Sequence, residues 1–180
     1  QAVPSYIGAS MASLRHSSLG AVLLHFGGLI ESSNNGTTTM IETDGQCTVV
    51  ANSGPAPRAF AAMASKNSMD GAYLFGGRSV RGVLYNDLWE LTESGGFFTW
   101  RLLMPLRNTP VPSPRQDSAA TGAFISDFYM FGGTAANGVL GDTWFWFRDQ
   151  WRQITAPNGP APRTGASFSY ERDKQRLVLT

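Results

Sequence analysis

A short apolar run closed by two glycines occurs three times in this chain, and it constrains the fold more than any other feature. Val22–Gly28 reads VLLHFGG, Gly71–Gly77 reads GAYLFGG and Phe128–Gly133 reads FYMFGG. Each run is long enough for one strand and too short for a helix. Two residues without side chains after a buried strand let the backbone take positive φ and let a neighbouring segment pass close by. The pairs begin at positions 27, 76 and 132, and a period of about 50 residues is the spacing of a repeat architecture.

Further markers keep step with the glycines. PAPR at Pro55–Arg58, PSPR at Pro112–Arg115 and PAPR at Pro160–Arg163 open each copy, with Arg58 standing 18 residues before Gly76 and Arg115 standing 17 before Gly132. After the glycines, GVL at Gly82–Leu84 leads to Asp87 and Trp89, and GVL at Gly138–Leu140 leads to Asp142 and Trp144. NDLWEL and GDTWFW each read as a strand opened by a turn-forming carboxylate and continued by aromatics. Trp100 and Trp151 mark one more strand. A copy therefore predicts four short strands. The strands after the Pro-Arg marker are built of small residues, which suit the crowded centre of a ring, while Trp100 and Trp151 fill its wider outer end. Arg58, Arg115 and Arg163 could form an anion-binding ring, but their single register points to a structural role, pairing with Asp87 and Asp142.

This order of PxPR, small-residue strand, YLFGG, NDLW and a lone Trp resembles the kelch repeat. The resemblance implies an all-β chain of four-stranded propeller blades. About three and a half blades are expected, over roughly 8–50, 58–103 and 116–154, with a partial one over 164–180. The first copy is degenerate: Tyr6-Ile7 stands where Pro-Arg should be, Met40 near the first Trp and Cys47 at the second. RLVLT at Arg176–Thr180 starts a strand whose glycine pair would fall just past the last residue. The sequence is thus expected to be part of a larger ring, closed by further blades of the same chain or by a second copy.

Fourteen basic and 13 acidic residues give a net charge of +1 with no block of like charge, so nucleic acid and acidic membranes are not expected partners. The opening QAVPSY has neither a basic n-region nor an apolar h-region, and no run of about 18 apolar residues occurs. Cys47 alone makes neither an internal disulfide nor a Cys-based metal site. Two histidines, His16 and His25, fall short of a zinc ligand set, so no metal or cofactor is expected. Catalytic motifs such as G-x-S-x-G, H-E-x-x-H and the P-loop are absent from the sequence. Asn35-Gly36-Thr37 fits the glycosylation sequon in a loop expected to be exposed. The compartment stays open, with a lean to the cell interior set against that one sequon.

Alternating strands put the second-to-third and fourth-to-first connections on one rim. These are the long ones: Leu29–Gly36, Arg78–Tyr85 and Thr134–Gly141, with Ala51–Pro57, Met104–Pro114 and Thr155–Pro162. Short turns such as Arg148-Asp149 and Ser126-Asp127 are expected on the opposite rim. Long loops on a rigid scaffold are where binding concentrates, so Arg78, Arg81, Tyr85, Leu106, Arg107 and Asn137 are the candidate binding residues. The expected function is a scaffold that binds a protein partner through this rim. The resemblance leaves two alternatives: part of an oxidase-like propeller enzyme whose metal ligands lie in other blades, or a purely architectural repeat.

Overall fold

The computed structural model describes residues 6–30, 33–51, 53–66, 68–123 and 127–180, and all the regular structure among them is β. The first sheet takes β1 (Ser10–His16) and β2 (Gly20–Phe26). A small hairpin of β3 (Leu29–Ile30) and β4 (Ser33–Asn34) leads to β5 (Thr38–Ile41) and β6 (Cys47–Ala51). The second sheet holds β7 (Ala62–Ser65), β8 (Gly71–Phe75), β9 (Leu88–Ser94) and β10 (Phe97–Leu103). After the short β11 (Arg115–Gln116) come β12 (Ala119–Ala123) and β13 (Asp127–Phe131). The rim strands β14 (Thr134–Ala135) and β15 (Gly138–Val139) precede β16 (Thr143–Phe147) and β17 (Gln150–Ile154). A hairpin of β18 (Phe168–Glu171) and β19 (Arg176–Leu179) follows.

Each four-stranded sheet is an antiparallel meander in chain order, β1-β2-β5-β6, β7-β8-β9-β10 and β12-β13-β16-β17. The first strands β1, β7, β12 and β18 pack side by side, sheet after sheet. This is the arrangement of kelch-type propeller blades, three of four strands and a two-stranded fourth, and the sheets do not close into a ring.

Side-chain size sets the radial order. Ala62, Ala64, Ala119 and Ala123 are buried on the inner strands, where neighbouring backbones crowd together. All five residues of β8 are buried, because both of its faces lie in the protein. The two faces of the second sheet feed different cores. Tyr73 and Phe75 pack with Phe128, Met130, Trp144, Trp146 and Trp151 of the third sheet. Leu91 and Phe98 face the other way, toward Leu14, Val22, Leu24 and Met40 of the first. Trp151 is 3% exposed and meets Phe75 edge-on at 5.1 Å between centroids, whereas Trp100 is half-buried against Phe26.

Close to the axis the sheets are linked by a belt of backbone hydrogen bonds. Phe60 N–H donates to Gly8 C=O at 2.6 Å, Asp117 N–H to Phe60 C=O at 2.9 Å and Gly165 N–H to Asp117 C=O at 3.2 Å. All four residues are left-handed, with φ of 68°, 60°, 54° and 64° at Gly8, Phe60, Asp117 and Gly165. An aromatic in that region is uncommon, and it is held here because its N–H and C=O are both used by neighbouring sheets.

One expectation about the rims is corrected. Arg148 and Asp149 do form a tight turn, with φ of 49° and 58°, but Leu106 N–H of the Met104–Pro114 connection donates to Asp149 C=O at 2.9 Å. The turn therefore lies beside a long connection of the preceding sheet. Strand twist accumulates at about 20–25° per strand, so the outermost strand swings sideways toward its neighbour. Ser126, of the other turn expected there, lies outside the described residues.

Candidate functional site

The rim is organised by a joint that recurs between sheets. Gly28 N–H donates to Arg58 C=O at 2.9 Å, Gly77 N–H to Arg115 C=O at 2.8 Å and Gly133 N–H to Arg163 C=O at 3.0 Å. The first glycine of each pair is needed on two counts. Its φ is 74°, 67° or 63° at Gly27, Gly76 and Gly132, and a Cβ there would lie 2.3, 2.6 or 2.4 Å from the same arginine carbonyl oxygen. The arginine side chain then turns back into its own sheet. Arg115 is 1% exposed and grips Asp142 with two parallel bonds of 2.6 and 2.8 Å, while also donating to Gly132 C=O at 3.1 Å. Arg58 repeats this on Asp87 and Gly76 C=O. Trp89 and Trp144 donate their indole N–H to these carboxylates at 2.7 and 2.6 Å.

These contacts set the charge states. Burial pushes the Asp142 carboxyl up, but the Arg115 and Trp144 hydrogen bonds and the Arg115 charge outweigh it and hold the group below its ordinary value. Arg163 is exposed, and its side chain donates to Ala161 C=O at 3.2 Å. The arginines at this register are joints, and the pairing expected with Asp87 and Asp142 is present.

On this frame the second-to-third connections fold into small hairpins. Thr134-Ala135 pairs with Arg115-Gln116 on one side and with Gly138-Val139 on the other. In the second sheet Arg78 bridges Ala59 and Leu84 in the same way. The candidate residues spread over this surface in separate groups. Arg81 and Asn137 are exposed at the hairpin tips. Arg78 is half-buried nearer the axis, its guanidinium 5.4 Å from the Phe60 ring centroid; burial raises the Asp117 carboxyl above its ordinary value, and the Arg78 charge offsets only part of that push. Tyr85 serves the joint: Arg58 stacks on its ring at 4.0 Å and Arg115 N–H donates to its C=O at 3.0 Å. Leu106 and Arg107 are exposed but sit at the outer edge, beside the Arg148-Asp149 turn.

The sequon is not in a free loop. Asn35 holds the position in the first sheet that Tyr85 holds in the second, its C=O accepting from Arg58 N–H at 3.3 Å. Its Oδ1 accepts from Thr37 N–H and Oγ1 at 3.0 and 2.9 Å, and the residue is half-buried. No group of three or more His, Cys, Asp or Glu side chains comes together among the described residues.

Sequence reasoning missed the apolar part of the rim. Val80, Val83 and Val139 are 50%, 56% and 47% exposed on the two hairpins. Their signal was available, since Val83 and Val139 are the middle residues of the recurring GVL and stand among turn-forming residues with no strand pattern to bury them.

No family model matches the chain. It is similar to an F-box/kelch-repeat protein of Arabidopsis thaliana, 32% identical over 117 residues, which cover 59% of this chain. The chain spans 24% of the length of that relative. Marker order, sheet geometry and this distant similarity agree: the chain is similar to kelch-repeat proteins, and its all-β sheets are arranged as in kelch-type propeller blades.

Proposed function

We propose that this chain is a protein-interaction module that meets its partner with the rim carrying the long connections. The similarity to an F-box/kelch-repeat protein supports an interaction role over the oxidase-like alternative. The observation that carries the choice of rim is the register-matched pair Val83 and Val139, each about half exposed on adjacent blades. Arg81 and Asn137 stand beside them at the hairpin tips. Apolar side chains flanked by charge on rigid neighbouring hairpins make a small adhesive patch that the fold itself does not need.

The double variant Val83→Glu/Val139→Glu tests this. Capture of partners from a cell extract should fall at least tenfold with the circular dichroism spectrum and melting temperature unchanged. Equal capture by variant and parent would overturn the assignment of this rim.

A further inference from the structure

A pocket of about 250 Å³ opens at the outer edge of the same rim, between the second and third blades. Leu88, Leu103 and Trp151, all buried, contribute to it from below. Met104, Pro105 and Val111 of the connection 104–114 wall it, and Asn86 and Asp87 edge it. Small-molecule sites commonly measure about 300–1,000 Å³. This one is smaller, suited to about one bulky apolar side chain, as in the anchor pockets of protein interfaces.

The pocket is preformed. Pro105, Pro110, Pro112 and Pro114 fix φ at four points of the connection. Leu106 N–H is held by Asp149 C=O, Thr109 Oγ1 donates to Leu106 C=O at 2.7 Å, and Asn86 Nδ2 donates to Pro112 C=O at 3.4 Å. Little ordering is left for a ligand to impose. Of the lining residues, Met104 and Val111 are 70% and 44% exposed.

Charge selects the occupant. From Ser94 to Gln116 the chain holds Arg101, Arg107 and Arg115 and no Asp or Glu. Arg101 is matched by Glu90 and Arg115 by Asp142, while Arg107 has no ion pair among the described residues. Asp87 is taken up by Arg58 and Trp89. Asp149 is offset by Arg148 beside it and by Arg101, whose charge it also feels.

We propose that this pocket receives one leucine or phenylalanine of an acidic peptide segment of the partner protein, with carboxylates of that segment facing Arg107. The proposal rests on the rim reading above and names the chemistry of what the rim recognises.

The probe is a dye-labelled ten-residue peptide with a central phenylalanine among glutamates and aspartates, titrated with the full chain by fluorescence anisotropy. Binding should be at least tenfold tighter than for the same peptide with alanine at the centre, or with every carboxylate replaced by its amide. Val111→Glu and Arg107→Glu should each weaken it more than fivefold, and Val49→Glu, exposed on β6 of the first sheet, less than twofold. Arg107 lies on an exposed connection, so its variant keeps the test valid if Val111→Glu loses stability. No binding, equal binding of the alanine peptide, or indifference to Arg107→Glu would overturn the pocket assignment. Should that occur while Val83→Glu/Val139→Glu still abolishes capture from extract, the rim reading stands without the pocket.

Discussion

At the residue scale, the same marker arginine does different work according to what surrounds it. Arg115 is fully buried and its Asp142 partner is mostly so, and removing one member of such a pair leaves the other charge uncompensated. Arg115→Ala should therefore cost about 3–5 kcal/mol. Arg115→Lys should not rescue it, since a point charge cannot make two parallel bonds. Arg163 is exposed, and Arg163→Ala should stay within about 0.5 kcal/mol. Urea denaturation separates the three. The pair also predicts an acid response. Asp142 and Glu90, the latter between Lys66 and Arg101, are both held below their ordinary values in the folded state against the push of burial. Their contribution is complete above the ordinary carboxylate range, about pH 4, and is lost as pH falls through their lowered folded values. Asp117, pushed up by burial, acts in the opposite sense and only partly offsets this. The urea midpoint should be flat from pH 8 to 7, ease downward below about pH 6.5 because burial lowers the His25 imidazole in the folded state, and fall further below about pH 4, less steeply in Asp142→Asn.

At the scale of elements, the glycine pair was legible because chemistry leaves few alternatives: positive φ and close approach both ask for glycine, and both occur at Gly76 and Gly132. Gly76→Ala should cost at least about 1–2 kcal/mol from the left-handed backbone alone. It should also loosen the joint to Arg115, read as faster exchange of the Gly77 amide. The outer-strand tryptophans were legible in place but not in burial. Trp151→Ala should cost about 3–5 kcal/mol. Trp100→Ala should cost about half as much, since that ring is half-buried and its indole N–H is held by Thr38 Oγ1 at 2.8 Å. The rim was the least legible element. Short pairings such as Thr134-Ala135 with Gly138-Val139 have too few residues to show a period, so they read as loops. Twist between strands leaves no mark in one-dimensional spacing, which is why spacing alone groups Leu106 with Arg78 although it sits beside Asp149.

At the scale of the whole molecule, blades hide their faces only against neighbours. The β18–β19 hairpin is two-stranded, and the first sheet leaves Met11 and Val49 about half exposed. Light scattering of the isolated 180-residue chain should show association that grows with concentration, and a sharply melting monomer at all concentrations would contradict this. The joints between blades hold the sheets together, and amide hydrogen exchange reads them most directly. Gly28, Gly77 and Gly133 each give their N–H to the arginine carbonyl of the next sheet. These three amides should exchange as slowly as those of Leu74 and Met130 inside their strands. Exchange as fast as that of Gly95 in the exposed β9–β10 turn would mean that the sheets are not joined as described.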